Sequence, residues 1–209
     1  GRELYRTTAI KNLDWALGKQ LPNGWFRENG FSDNDKPYLH TIAYTIRGLL
    51  AASEILHAHN YSGDADLRYF ESATRAAEAV LHRFEVRRYP RAQYDREWKS
   101  AEHFSCLTGN AQIAKCWLNI YAVNRDPRFL NAALKINDFV KSTQDLTSRN
   151  AGMRGGIKGS HPVWGRYIRY SYPNWDAKFF VDALVLEDEI MARLDHEVEH
   201  EYRTAVQAA

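Results

Sequence analysis

The chain has 209 residues, 44% of them apolar and 26% charged, and a formal net charge of +2. That is enough length for one domain with a substantial core, and the near balance of charge gives no reason to expect nucleic acid as a partner. No apolar run approaches the length of a bilayer span and no signal peptide opens the sequence, so no membrane partner is expected either.

Helical periodicity dominates along the chain, and no alternating pattern predicts a strand. Residues 3–19 place Leu4, Ile10, Leu13, Trp15 and Leu17 at helical spacing, and Leu21-Pro22-Asn23-Gly24 stops that helix with turn-forming residues. A loop with Trp25, Phe26, Phe31 and Tyr38 leads to a second helix over about 40–57, apolar on most of its circumference and therefore expected to be buried. The third helix, 66–84, spreads Arg68, Glu71, Arg75 and Glu78 over a solvated face. A loop over 85–104, carrying Tyr89, Tyr94 and Trp98, precedes a second apolar helix over about 106–123 and an amphipathic one over 127–143. Asp126-Pro127 is a good start for the latter, because Asp caps and Pro tolerates the first turn. Cys106 and Cys116 sit ten residues apart on the apolar helix and cannot easily pair. Two buried free thiols, with no leader, favour a reducing, cytoplasmic compartment. The longest loop, 146–172, is Gly-rich and leads to a buried helix over about 173–194, followed by a last charged helix.

Residues 43–50, 111–118 and 177–184 are versions of one segment, offset by 68 and 66 residues. Each opens an apolar helix after a long loop rich in Trp, Tyr, Gly and Asn. A unit of this size cannot bury its apolar face alone, so copies stack. The expected fold is all-α: αα-hairpin repeats forming an α/α toroid or partial toroid, with inner helices near 40–57, 106–123 and 173–194, read as one domain over 1–209. Connections longer than about 12–15 residues are uncommon in compact domains unless they have a role, which points to the end of the stack where the loops gather. The chain holds 6 Trp, 12 Tyr and 9 Phe, many of them in these loops, where small polar residues usually prevail.

The segment Gln20-Leu21-Pro22-Asn23-Gly24-Trp25-Phe26 and the helix start Leu39-His40-Thr41-Ile42-Ala43-Tyr44-Thr45-Ile46-Arg47-Gly48-Leu49 resemble carbohydrate-active α/α toroids. So do Cys106-Leu107-Thr108-Gly109-Asn110-Ala111-Gln112, Gly155-Gly156-Ile157-Lys158-Gly159-Ser160 and Tyr172-Pro173-Asn174-Trp175-Asp176-Ala177-Lys178-Phe179-Phe180. The likeness is to bacterial proteins associated with exopolysaccharide gene clusters. In general style it extends to six-hairpin glycosidases, unsaturated-uronyl hydrolases, toroidal polysaccharide lyases and glucuronyl C5-epimerases. It implies a polysaccharide or oligosaccharide partner and no cofactor or metal. Complete six-hairpin toroids need more than about 300 residues, whereas this chain has three to three and a half hairpins. An open arc would leave an inner helix such as 173–194 exposed unless a second subunit covered it, which makes a homo-oligomer an expectation of that reading.

Within a toroid, inner-helix N-termini and the preceding loops converge on a cleft. Removing the proton alpha to a uronate carboxylate needs a base and a group that stabilises the enolate. His40, Tyr44, His161 and Tyr172 are the proton-transfer candidates, and Asp176 is the best placed carboxylate. Substrate-binding candidates are Asn23, Trp25, Arg47, Asn110, Gln112, Lys158, Trp164, Arg166, Asn174 and Trp175. Trp25, Trp98, Trp164 and Trp175 could stack on sugar rings or cement the loops. Lys158, Arg166, Arg169 and Lys178 make the third loop basic, which suits a uronate, since guanidinium pairs bidentately with carboxylate.

Hydrolysis would need two carboxylates about the scissile bond; Asp33, Asp35, Glu97, Glu102 and Asp176 are available, with no pair distinguished by position. The leading reading is therefore a lyase or epimerase acting on an acidic polysaccharide, with a hydrolase of the same fold or a non-catalytic polysaccharide-binding protein as alternatives. His196-Glu197-Val198-Glu199-His200 matches a metalloprotease pattern, but its charged surroundings read as a solvated helix.

Overall fold

The computed structural model describes residues 2–31, 36–59, 64–87 and 89–208. Six helices account for most of it: α1 (Arg2–Gly18), α2 (Leu39–Ala58), α3 (Ala65–Arg87), α4 (Leu107–Asn124), α5 (Pro127–Ser142) and α6 (Asn174–Ala208). Consecutive helices pair as α2 with α3 and α4 with α5, while α4 also packs between α2 and α6. The apolar helices α2, α4 and α6 thus form an inner layer, and α3 and α5 cover it from outside. Position in this layer explains the hydrophobic pattern. The central α4 is flanked on three sides and is buried almost all round, with Ile113, Ala114, Trp117, Leu118 and Ile120 wholly inaccessible. Trp117 stacks obliquely on Phe84 of α3, with ring centroids 5.6 Å apart, and its indole N–H donates to the Ala77 carbonyl at 3.1 Å.

At the edge of the layer, α6 buries Phe179, Phe180, Ala183 and Ile190 but leaves Val181 and Val185 more than half exposed. The third copy of the repeat lacks a further hairpin beside it among the described residues, and its outward apolar side chains face solvent.

Local signals account for the helix ends. Asp126 caps α5 by accepting from the Arg128 N–H at 2.9 Å, with Pro127 in the first turn. Cys106 caps α4, its sulfur accepting from the Gly109 N–H at 3.4 Å. Both thiols are free and buried, as expected, but Cys106 stands before the helix rather than on it.

Two further expectations are corrected. The predicted break after residue 194 does not exist: α6 runs for 35 residues, because nothing between Leu194 and Asp195 interrupts a helix. His196 and His200 lie exposed on that helix, and Glu197 pairs with Arg125 at 2.9 Å. A two-stranded ribbon is also present, β1 (Ser105–Cys106) antiparallel to β2 (Ser160–His161). Two residues per strand are too few for any alternation to register in the sequence.

Backbone hydrogen bonds tie the loops into one layer over the N-terminal ends of the inner helices. Leu39 N–H donates to Ala92, Ala92 N–H to Phe104, Leu107 N–H to Gly159 and Gly159 N–H to Ser171, all between 2.7 and 3.2 Å. Gly109 permits the closest helix approach here: a Cβ on it would lie 2.7 Å from the His40 nitrogen and 2.8 Å from the Leu39 side chain.

Candidate active site beneath the loop layer

Because α2 and α4 cross at Gly109, the first turn of α2 faces the second turn of α4. His40 is thereby aimed at Gln112, and its Nδ1 lies 2.7 Å from the Gln112 Nε2 in a buried contact. Aromatic rings surround the imidazole: Tyr44 edge-on at 4.7 Å between centroids, Tyr167 at 5.5 Å, Phe31 and Phe179 at 6.2 Å. Tyr38 stands over Tyr167 at 5.1 Å. The rings enclose a cleft of about 450 Å³, lined by Phe31, Tyr38, His40, Tyr44, Tyr167, Ile168 and Trp175. His40 retains 8% of its surface, so it forms the floor of this cleft.

Electrostatics follow from the burial. Desolvation, with a smaller effect from the Arg47 guanidinium, pushes the His40 pKa down to about 4, so the imidazole is neutral near pH 7. Desolvation likewise raises the phenols of Tyr38 and Tyr167, which stay protonated. In the orientation placed, Gln112 donates to Nδ1, which puts the imidazole proton on Nε2, facing away from the amide. The Gln112 Oε1 has no partner of its own. A half-turn of the amide would accept from Nδ1–H instead and leave Nε2 as a bare lone pair. The buried amide can thus serve either tautomer, one a donor and the other a base.

Two turns along α2 from His40, Arg47 lies over the rings of Tyr44 and Phe179, its guanidinium carbon 5.2 and 5.1 Å from their centroids. It opens onto a neighbouring groove of about 530 Å³ between α2, α4 and α6, shared with Lys115, Lys178 and Asp182. Asp182 already pairs with Lys178 at 2.5 Å and Lys115 at 3.6 Å. Arg47 has no carboxylate within ion-pair distance among the described residues.

The structure gathers His40, Tyr44, Arg47, Gln112 and Trp175 around this cleft, and separates the other candidates from it. Trp25 is 2% exposed and sits in the core, because the positive-φ Gly24 before it presses against the backbone of Arg75 and Ala76. It cements the first loop and offers no face to a sugar. Asn23 joins two loops, donating to the Arg96 carbonyl at 2.7 Å and accepting from Trp25 and Trp98. Trp98, 5% exposed, is likewise structural.

His161 packs edge-on against Phe139 of α5, ring centroids 5.6 Å apart, on the outer side of the loop layer. Tyr172 lies against Gly156 in the third loop, and Lys158 is half-buried in the same loop. Asn174 is exposed at the start of α6.

Asp176 is fully buried, and burial lifts its carboxyl to about 8. It lies near Tyr167 and Cys106, whose ionisations its charge opposes, and it is not among the residues lining the cleft. Asn110 is also fully buried, with neither side-chain atom partnered. Trp164 and Arg166 belong to a second groove, described below. Glu97 is exposed and Glu102 half-buried away from the cleft, while Asp33 and Asp35 lie outside the described residues.

Sequence reasoning missed Tyr167, Phe31 and Phe179 as cleft walls. Tyr167 stands between basic residues in Arg166-Tyr167-Ile168-Arg169, and an aromatic within a basic stretch was the available signal. Among the described residues no three His, Cys, Asp or Glu side chains group closely enough to hold a metal ion, and no helix is long and apolar enough to cross a membrane.

No protein-family model matches the chain, and no curated protein does. Among solved structures it is similar to cellobiose 2-epimerase from Spirochaeta thermophila DSM 6192, with a TM-score of 0.55 at 18% identity, over 76% of this chain and 39% of that one. The fold is an α/α toroid's. Further similar structures are cellobiose 2-epimerase from Bacillus thermoamylovorans B4167 (TM-score 0.46, 13% identity, 74% of this chain and 41% of that one) and a D-mannose isomerase (0.42, 11%, 73% and 44%). The chain therefore spans about two fifths of the length of the structures it matches. At these identities the likeness establishes the αα-hairpin architecture alone.

Proposed function

We propose that the protein is a carbohydrate epimerase that moves the proton alpha to the carboxylate of a uronate unit, in an acidic oligo- or polysaccharide of exopolysaccharide synthesis or turnover. The observation that carries this reading is the neutral, buried His40, held by Gln112 at the floor of an aromatic-walled cleft with Arg47 beside it. A sugar ring fits between aromatic faces, which take its C–H surface. In the tautomer with Nδ1–H on Gln112, Nε2 of His40 removes the alpha proton. The carbon–hydrogen electron pair moves into the carboxylate to give an enolate, whose charge Arg47 stabilises. Return of the proton to the opposite face, from a Tyr44 hydroxyl or water, inverts the centre and breaks no chain bond.

Two further observations support this reading. The cleft lining contains no carboxylate among the described residues, whereas hydrolysis needs a pair. In addition, a structure of the same architecture is a sugar epimerase. A lyase would share the first step and differ in expelling the group beta to the carboxylate.

The test is incubation with uronate-containing and neutral saccharides in deuterium oxide, followed by mass spectrometry and by ultraviolet absorbance of unsaturated uronate. Deuterium uptake without new absorbance is expected for the wild type, and its loss in His40→Asn with unchanged helical circular dichroism. Absorbance would make the protein a lyase. Absence of uptake on every saccharide would refute proton transfer.

A further inference from the structure

The second groove, about 400 Å³, lies across the third loop from the His40 cleft and is lined by Glu102, His103, Trp164, Arg166 and Arg169 among others. We infer that it is a separate binding subsite for an anionic sugar unit, flanking the unit that reacts over His40, so that the substrate is an oligosaccharide carrying carboxylates on more than one residue. The inference rests on the proposed reading of the His40 cleft as a saccharide site.

Three features point to it. Trp164 is 51% exposed, a flat apolar surface of the kind that stacks on a pyranose face and that a loop would otherwise bury, as it buries Trp25 and Trp98. Arg166 and Arg169 have no carboxylate within ion-pair distance among the described residues, so two guanidinium groups stand ready for a carboxylate they can bind bidentately. Glu102 in the same lining can accept from sugar hydroxyls, while the groove keeps a positive balance.

The two sites share one wall. Tyr167 and Ile168 face the His40 cleft while Trp164, Arg166 and Arg169 face the second groove, and the Tyr38 hydroxyl donates to the Arg166 carbonyl at 3.4 Å. That wall is closely packed. A Cβ on Gly165 would lie 2.6 Å from the Phe104 ring, and one on Gly159 would lie 2.5 Å from the Ile168 side chain, so the segment is seated on its support without slack. Arginines on a preformed wall lose less entropy on binding than arginines on a free loop.

The probes are uronic-acid saccharides of one to four units and their carboxyl-reduced counterparts, titrated by calorimetry against the wild type, Arg166→Gln/Arg169→Gln, Trp164→Ala and His40→Asn. The wild type should bind the longer acidic probes about tenfold or more tighter than the single unit, corresponding to one good charged contact. The arginine pair and Trp164→Ala should each remove most of that gain. His40→Asn should keep it, and the carboxyl-reduced probes should never show it. A gain that survives the arginine substitutions, a gain equal for reduced probes, or no binding of acidic probes at all would each overturn the subsite. Because binding is read without turnover, failure of the proton-transfer reading would appear in the deuterium assay while the titrations still decide the subsite.

Discussion

Replacing Asp176 by Asn tests the account of the buried layer behind the cleft. Both carboxylate oxygens are buried without a hydrogen-bond partner, and burial raises the pKa from an ordinary 3.8 to about 8. The folded state therefore holds a proton that the unfolded chain has released. Stability is lost as pH rises through the window from about 4 to about 8, and is flat on either side. At about 1.4 kcal/mol per pKa unit, the full penalty approaches 5–6 kcal/mol above pH 8. The N-terminal turn of α6 favours the anion by about 0.3–1 kcal/mol, and structural relaxation lowers the cost further. Asn has nearly the same shape, carries no charge and gives up no hydrogen bond present in the structure. Asp176→Asn should gain about 3 kcal/mol at pH 8.5 and under about 1.5 kcal/mol at pH 5, where the carboxyl is still protonated. Urea unfolding of both proteins at the two pH values reads this directly. A stability difference independent of pH, or a variant weaker at both, would refute the placement of Asp176 as a lone buried acid.

Three other substitutions test the site. Gln112→Leu leaves the buried His40 Nδ1 without a partner and should lower kcat about 10- to 100-fold and stability by about 1–3 kcal/mol. Activity and thermal melting measured together check it. Arg47→Met removes the lesser of the two influences that depress His40, so the acidic limb of the kcat/KM profile should move upward from near pH 4, with burial retaining the larger part of the shift. Gly109→Ala forces a Cβ to within 2.7 Å of the His40 nitrogen and should destabilise by about 1–3 kcal/mol while impairing turnover, by denaturant unfolding and initial rates.

The helices and their layering were legible in the residues because both rest on periodicity. The apolar circumference of 106–123 announced a helix buried by neighbours on most of its sides, and that helix is α4. Asp126-Pro127 announced its own cap. At the cleft, His40, Tyr44 and Arg47 were legible as polar residues opening a buried helix, but their grouping with Tyr167 and Phe179 depends on how the third loop folds back, which local pattern does not encode. Trp25 and Trp164 show the same limit from the other side. Each is a Trp beside a glycine in an aromatic loop, yet Gly24 lets the first loop sink onto α3 with Trp25 sealed in the core, while Trp164 stays half exposed.

The sequence by itself determined that this is a stack of αα-hairpins whose loops meet at one end, since a threefold repeat of apolar helices has few other ways to bury its faces. Tertiary structure alone decided which polar residues stay accessible. The α2–α4 crossing at Gly109 makes His40 the floor of the cleft and turns it to Gln112. The packing of α6 against α4 draws Asp176, in the first turn of its helix, away from solvent. Accessibility and desolvation belong to the assembled layers, and they leave His40 at the floor of the cleft and Asp176 buried away from solvent.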